Sequence, residues 1–370
     1  MNIKQIQSQA DALLIRWDDG TENRFHYLWL RDNSPEARTA SGQRLIETLS
    51  IPDDVAPVSV ELSGPDRLTI EWGYDGHISH YPTAWLRTHA YPAPPMSSSR
   101  RLWDAGIQSA LPHMRYPEII AQPQKLRQWL RWVHDYGFAI LHDTPIVPGT
   151  VLEIVRLFGY VRETNYGPLF DVRSVVAPNN LAFTGLPLSV HTDNPYREPV
   201  PTLQLLHCLA SELEGGDSIL VDGFNAAETL RRQFPAYFEL LSTQPVRFRF
   251  QDEHNDLSAE SPVIRLDTRG DVAGIRFNNR SLMPFDFSPE QVAAYYQAYR
   301  AFARLLQNPE YTIQFKMQPG DLFIVDNERV LHGRTGFSSN GSRHLQGCYA
   351  DRDGLYSRLR VLERDMEGRG

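Results

Sequence analysis

His191-Thr192-Asp193 sets an imidazole and a carboxylate two residues apart. In a strand, residues i and i+2 point to one face, so this pair can grip a single metal ion. Two histidines and one carboxylate on one face of Fe(II) leave three positions open, enough for a chelating cosubstrate and then O2. The triplet alone is weak evidence, because 12 histidines and ordinary aspartate usage give about 0.6 His-x-Asp triplets by chance. A second one, His254-Asn255-Asp256, lies in the polar stretch 251–261, where no strand is expected, and reads as a solvated loop. Context favours the first. Phe323-Ile324-Val325-Asp326-Asn327 runs into Leu331-His332-Gly333-Arg334, which places a second histidine 141 residues after the first (191 to 332). Arg343 follows 11 residues later (332 to 343), and an arginine there can fork onto a cosubstrate carboxylate.

These residues need strands to hold them. Leu203 to Leu209 reads as an apolar strand interrupted by Gln204 and His207, followed by the turn Glu214-Gly215-Gly216-Asp217 and the strand Ser218 to Val221. Phe138 to Leu141, Thr312 to Met317, Leu322 to Val325 and His344 to Ala350 read likewise. Helical spacing covers Gln124 to Tyr136, Thr150 to Leu157, Asn225 to Leu241 and Pro289 to Leu306, the last opened by Ser288 as N-cap and proline at the first position. Strands with helices inserted suit a double-stranded β-helix, or jelly roll, with helical cover. Residues 1–92 alternate in short β runs and form a small N-terminal β-rich domain. Proline and serine concentrate in 93–100, a linker, and 101–370 carry the jelly roll.

Composition narrows the class of protein. The chain has 370 residues, 41% hydrophobic, and a net charge of −8, which disfavours general nucleic-acid binding. Its two cysteines, Cys208 and Cys348, form neither a disulfide framework nor a Cys-based zinc module. No apolar run reaches the ~20 residues of a membrane span, and Met1 to Gln7 lacks a signal-peptide core. A cytoplasmic setting and small-molecule substrates are expected.

The ordered motifs resemble a known family. His191-Thr192-Asp193, Gln204-Leu205-Leu206-His207-Cys208, Gly215-Gly216-Asp217-Ser218, Phe277-Asn278-Asn279, Pro319-Gly320-Asp321, His332-Gly333-Arg334 and Tyr356-Ser357-Arg358-Leu359 are similar to those of the γ-butyrobetaine and trimethyllysine hydroxylase group of Fe(II)/2-oxoglutarate dioxygenases, within the taurine-dioxygenase-like superfamily. Leu28 to Asn33 and Trp85-Leu86 resemble that group's N-terminal domain. The resemblance implies Fe(II) at His191, Asp193 and His332, with 2-oxoglutarate chelating the metal and Arg343 clamping its distal carboxylate. O2 would convert the cosubstrate to succinate and CO2 while a substrate C–H is hydroxylated, with ascorbate stimulating. It further implies a homodimer.

The resemblance also suggests the substrate. A trimethylammonium group takes no ordinary hydrogen bonds and is held by aromatic faces, at about 0.5–2 kcal/mol each. The group's aromatic cage falls on Tyr166, Phe170, Phe183 and Tyr349, all aromatic here, with phenylalanine at 170 and 183 where the relatives tend to carry Trp and Tyr. The anionic end falls on Asn180, Asn278 and Asn279, with Arg173, Arg197, Arg276 and Arg280 nearby. An added arginine would suit a doubly charged phosphonate better than a carboxylate. The expected substrates are therefore γ-butyrobetaine or 2-(trimethylammonio)ethylphosphonate. A sulfonate or amino acid under the same iron chemistry, and an inactive jelly-roll binding protein, are the alternatives. The structural-zinc cysteines of the resembled N-terminal domain are absent, because Arg31-Asp32-Asn33 is followed by Ser34-Pro35-Glu36. With His77 as the one remaining candidate ligand, no zinc is expected there.

Overall fold

The structure is a computed structural model and describes residues 2–92, 100–173, 186–212, 214–337 and 342–367. It divides into two compact units, Met1–Ser98 and Ser99–Gly370.

In the first unit two three-stranded antiparallel sheets form, Ile3–Ser8/Ala12–Trp17/Glu22–His26 and Pro57–Leu62/Arg67–Trp72/Ile78–Pro82. Period-two alternation buries Leu13, Ile15 and Trp17 from one sheet and Leu68, Ile70 and Trp72 from the other in a shared core. A chain of buried polar groups in that core is paired. Trp72 Nε1 donates to Ser79 Oγ at 2.9 Å, Ser79 Oγ to Ser34 Oγ at 2.8 Å, and Ser34 Oγ lies 2.9 Å from His77 Nε2.

The second unit is a jelly roll of two sheets. One runs Phe170–Arg173, Arg343–Ala350, Leu203–Ser211, Leu322–Asp326, Phe138–His142 and His113–Arg115, with Val161–Arg162 also pairing to Arg343–Ala350. The other runs Leu188–His191, Val330–Arg334, Ser218–Asp222 and Thr312–Phe315. Alternation sorts the larger sheet cleanly. Phe138, Ile140, Phe323 and Val325 face Leu220, Ile313 and Val330 of the smaller sheet. Ala139, Leu141, Leu322 and Ile324 face Trp129, Leu130 and Val133 of the helix Pro123–Tyr136. That helix stops at Gly137, whose φ of 79° is the left-handed C-cap geometry open to glycine.

Outside the smaller sheet, an insertion of helices and hairpins packs on Val190, Val221 and Leu331. The helix expected over 225–241 is two helices, Gly223–Gln233 and Pro235–Thr243, because Pro235 has no N–H to continue the first and is well placed to start the second. Pro289–Gln307 forms one helix with a full capping box between Ser288 and Gln291. The stretch 251–261 is not a featureless loop. Val246–Gln251 and Asp256–Ser261 form an antiparallel hairpin, braced by a bidentate Arg249–Asp256 contact and by two Arg247 donors on one Glu260 oxygen, with His254 at its turn. Among the described residues, no helix is long and apolar enough to cross a membrane.

Candidate metal centre and substrate cavity

His191 closes the strand Leu188–His191 and is the register partner of His332 in Val330–Arg334, so the antiparallel pairing itself sets the rings 4.5 Å apart between centroids. The Nδ1–H of His191 donates to the Ser189 carbonyl at 2.8 Å, since a carbonyl only accepts. Its Nε2 lies 3.3 Å from Asp193 Oδ1. His332 Nε2 lies 3.8 Å from the same oxygen.

Asp193 is not in the strand, contrary to the same-face expectation. The strand ends at His191, and other contacts carry the chain round. Thr192 exchanges hydrogen bonds with Phe277, its N–H to the carbonyl at 2.8 Å and its Oγ1 from the Phe277 N–H at 3.0 Å. Asn327 accepts from the Asp193 N–H at 2.7 Å and donates to the Asp193 and Pro201 carbonyls, both at 2.9 Å. Asn194 then turns the chain with φ 52°. On the side chain, Oδ2 accepts from Gln204 Nε2 at 2.5 Å and from the Tyr349 hydroxyl at 2.8 Å.

Burial alone would raise the Asp193 pKa. The flanking His332 and His191 rings and the Tyr349 hydroxyl outweigh it and hold the carboxyl well below the usual range. Burial, with His191 and Arg280 nearby, pushes His332 down to about 3, so its ring is neutral near pH 7. An ionised carboxylate and neutral imidazoles are the states a metal requires. Among the described residues, these three are the one group of His, Cys, Asp or Glu whose ligand atoms lie within 4.8 Å of each other. Two imidazole nitrogens and one carboxylate oxygen gathered on one side match the donor set of non-haem Fe(II).

The three residues open onto a cavity of about 360 Å³, a volume suited to a small ligand. Arg343 lines it, and no carboxylate among the described residues pairs with it. Its guanidinium and that of Arg334 lie 5.6 and 4.5 Å from the Phe337 ring centroid. Burial lowers the pKa of both, Arg334 to about 10, and both remain charged near neutrality.

Of the expected cage, Tyr166, Phe170 and Tyr349 line the cavity, with Phe170 5.2 Å from Tyr349 and 6.3 Å from Tyr166. Phe183 and Asn180 lie outside the described residues. Asn278 lines the cavity, yet its amide is already used. It donates to the Thr192 carbonyl at 3.0 Å and accepts from the Arg280 N–H at 3.1 Å. Asn279 is a correction: it is exposed and is not among the lining residues, because Asn278 takes the inward position. Of the four arginines, Arg280 alone lines the cavity, where burial lowers its pKa and the Asp193 carboxylate opposes that shift. Arg276 is bound to Glu198 and Arg197 to Asn165. His207 and His344 are structural, paired with Thr144 and Asp171.

The sequence reading missed Tyr196 and Phe250, which line the cavity stacked 5.2 Å apart. It also missed the bonds by which Asn327 and Gln204 hold Asp193. A polar residue interrupting an apolar strand was the visible signal for Gln204. Phe250 sits in an alternating Arg-Phe-Arg-Phe run that gives none.

A jelly roll with a His–Asp–His set opening onto a small-molecule cavity defines a non-haem dioxygenase. The family described as taurine catabolism dioxygenase TauD, TfdA family matches residues 101–349, and the gamma-butyrobetaine hydroxylase-like N-terminal family matches residues 4–89. The chain belongs to this TauD, TfdA family and is a dioxygenase. It is 38% identical to gamma-butyrobetaine dioxygenase of Pseudomonas sp. (strain AK-1), over 96% of this chain and 95% of that protein. It is 32% identical both to trimethyllysine dioxygenase of Meyerozyma guilliermondii and to human gamma-butyrobetaine dioxygenase, each over 97% of this chain and 96% of the relative. Among solved structures, asparagine oxygenase in complex with Fe(II), hydroxyasparagine and succinate superposes with a TM-score of 0.51 at 21% identity, over 62% of this chain and 80% of that one, a likeness of fold.

Proposed function

We propose that this dioxygenase holds Fe(II) at His191, Asp193 and His332, takes 2-oxoglutarate against Arg343, and hydroxylates a C–H of a small trimethylammonium zwitterion. One observation carries the reading: aromatic walls and a cation line the cavity onto which the three ligands open, Tyr166, Phe170 and Tyr349 on one hand and Arg280 on the other. Bound Fe(II) would supply O2 activation coupled to oxidative decarboxylation of 2-oxoglutarate to succinate and CO2, with ascorbate keeping the metal reduced. The protein's part is placement. Arg343 meets the distal carboxylate of the cosubstrate through a fixed, bidentate fork. The aromatic faces take the quaternary nitrogen, which leaves no hydrogen-bonding group unsatisfied. Arg280 draws the substrate's anion and so orients a C–H toward the ligand face.

The relatives' names favour γ-butyrobetaine or trimethyllysine, while a guanidinium at position 280 adds 2-(trimethylammonio)ethylphosphonate as a candidate. KM values for these compounds, for choline (no anion) and for taurine (no trimethylammonium) test the assignment in wild type and in Arg280→Ala. The reading predicts poor use of choline and taurine, and a KM for the zwitterion that rises about tenfold in the variant, as for a lost charge-assisted contact. An unchanged KM would remove Arg280 from substrate binding, and preference for taurine would overturn the cage. A homodimer and a cytoplasmic setting complete the proposal, the first read by analytical ultracentrifugation.

A further inference from the structure

Asp193 shows its two oxygens to different surroundings. Oδ1 faces the two imidazole Nε2 atoms. Oδ2 is turned away and saturated by Gln204 and Tyr349. Gln204 and Tyr349 are directly opposite each other on neighbouring antiparallel strands, so their side chains rise from the same face of the sheet side by side. Gln204 lies in a strand paired on both sides, to Val325 and to Tyr349, and is 3% exposed. A carboxylate only accepts, so the amide must present Nε2 to it. Tyr349 has a second contact surface, because its ring lines the cavity and packs against Phe170 at 5.2 Å.

We propose that Gln204 and Tyr349 are positioning residues that restrict Asp193 to one metal-facing oxygen, and that Tyr349 ties occupancy of the substrate cavity to the metal site. The inference rests on the metal and substrate assignments above. A facial triad leaves three positions, two for a chelating 2-oxo acid and one for O2. A carboxylate free to pivot can chelate with both oxygens and take one of them. Two donors on Oδ2 prevent that pivot. Substrate pressing on the Tyr349 ring acts on one of those donors through a rigid phenol, so an empty and a filled cavity present different holds on Asp193. Gln204 gives the constant part of the hold and Tyr349 the part that responds to substrate.

Tyr349→Phe and Gln204→Met separate these roles. Phenylalanine keeps an aromatic face and loses only the hydroxyl. Methionine keeps length and loses the donor. Wild type and both variants are titrated with Co(II) in the presence of 2-oxoglutarate, and the cobalt d–d absorption is followed with and without the trimethylammonium substrate. Turnover with Fe(II) is then scored as hydroxylated product per succinate. The proposal expects both variants to give a cobalt spectrum different from wild type, and Tyr349→Phe to lose the spectral response to substrate. Product per succinate should fall about tenfold, the scale seen when partners of metal ligands are removed. Superimposable spectra and wild-type coupling in both variants would overturn it. Altered spectra with the substrate response intact in Tyr349→Phe would overturn the link to the cavity. Failure of the wild type itself to bind Co(II) would instead sink the metal assignment. If either variant fails to fold, the other still tests the restriction on Asp193.

Discussion

Phe170 packs over a glycine, and that contact gives a sharp test of the aromatic cage. Gly347 is the cross-strand partner of Phe170. A Cβ on Gly347 would stand 2.4 Å from Phe170 Cε2, 2.5 Å from Cζ and 2.8 Å from Leu206 Cδ2. Ordinary contact begins near 3.4 Å, so Gly347→Ala must push the ring edge away by about 1.0 Å (3.4 less 2.4). The ring cannot retreat freely, because Tyr349 and Tyr166 flank it. The added methyl therefore displaces Phe170 from the face it would present to the quaternary nitrogen in the proposed cage, at an overpacking cost of about 1–3 kcal/mol in stability. Losing one aromatic face costs about 0.5–2 kcal/mol of binding, which is about a 2- to 30-fold rise in substrate Kd. The assay is calorimetric titration of the metal- and 2-oxoglutarate-loaded protein with γ-butyrobetaine without oxygen, beside the 2-oxoglutarate Kd as an internal control. The substrate Kd should rise while the 2-oxoglutarate Kd stays within twofold. Phe170→Ala should weaken binding too, and adding Gly347→Ala to it should cost little more in substrate affinity, since the clash with the ring is gone and only the contact with Leu206 remains. Unchanged substrate affinity in folded Gly347→Ala would refute a role for Phe170 in the cage.

Other substitutions probe the rest of the site and fold. Arg343→Ala should raise the KM for 2-oxoglutarate about 100-fold while leaving Co(II) affinity near wild type, since it removes a bidentate charge pair of about 2–3 kcal/mol; steady-state kinetics decide. Asn327→Ala frees the Asp193 backbone and should weaken Co(II) binding about tenfold in a protein that stays folded. Arg329→Met leaves Asp222 without the partner it holds at 2.9 Å in full burial and should cost about 3–5 kcal/mol in urea unfolding. His207 is buried and pushed down to about 4, below the ordinary 6.5, so the unfolded chain binds its proton more readily. Its contribution to stability is complete above pH 6.5 and is lost as pH falls toward 4, by up to about 3 kcal/mol. His207→Gln should flatten the unfolding free energy over that window relative to wild type, and parallel profiles would refute the assignment.

What the sequence showed and hid follows from range of interaction. The jelly-roll strands were legible because period-two alternation is local, as at Phe138 to Leu141 and Leu322 to Val325. His332 and Arg343 were legible because their types and order carry chemistry and resemble a family. The route of the chain at Asp193 was not, since it depends on Asn327 and Phe277, 134 and 84 residues away (from 193 to 327 and 277). The helix over 225–241 was read as continuous although Pro235 marks the break within it. The hairpin at 246–261 escaped although Val246, Phe248 and Phe250 alternate with arginines, because its second strand, Asp256–Ser261, is mostly polar and carries only Leu257 and Ala259 as apolar residues. Asn278 and Asn279 are adjacent and identical in type, so only the fold could show that one turns inward and spends its amide on Thr192.

The central claim is that turnover of 2-oxoglutarate is coupled to hydroxylation of a trimethylammonium zwitterion. Succinate and product mass should be measured together with Fe(II), O2 and ascorbate, across γ-butyrobetaine, 2-(trimethylammonio)ethylphosphonate, trimethyllysine and taurine. The account predicts that one betaine stimulates succinate formation and gains a single oxygen. Succinate formed equally with and without every candidate, with no oxygenated product, would contradict it.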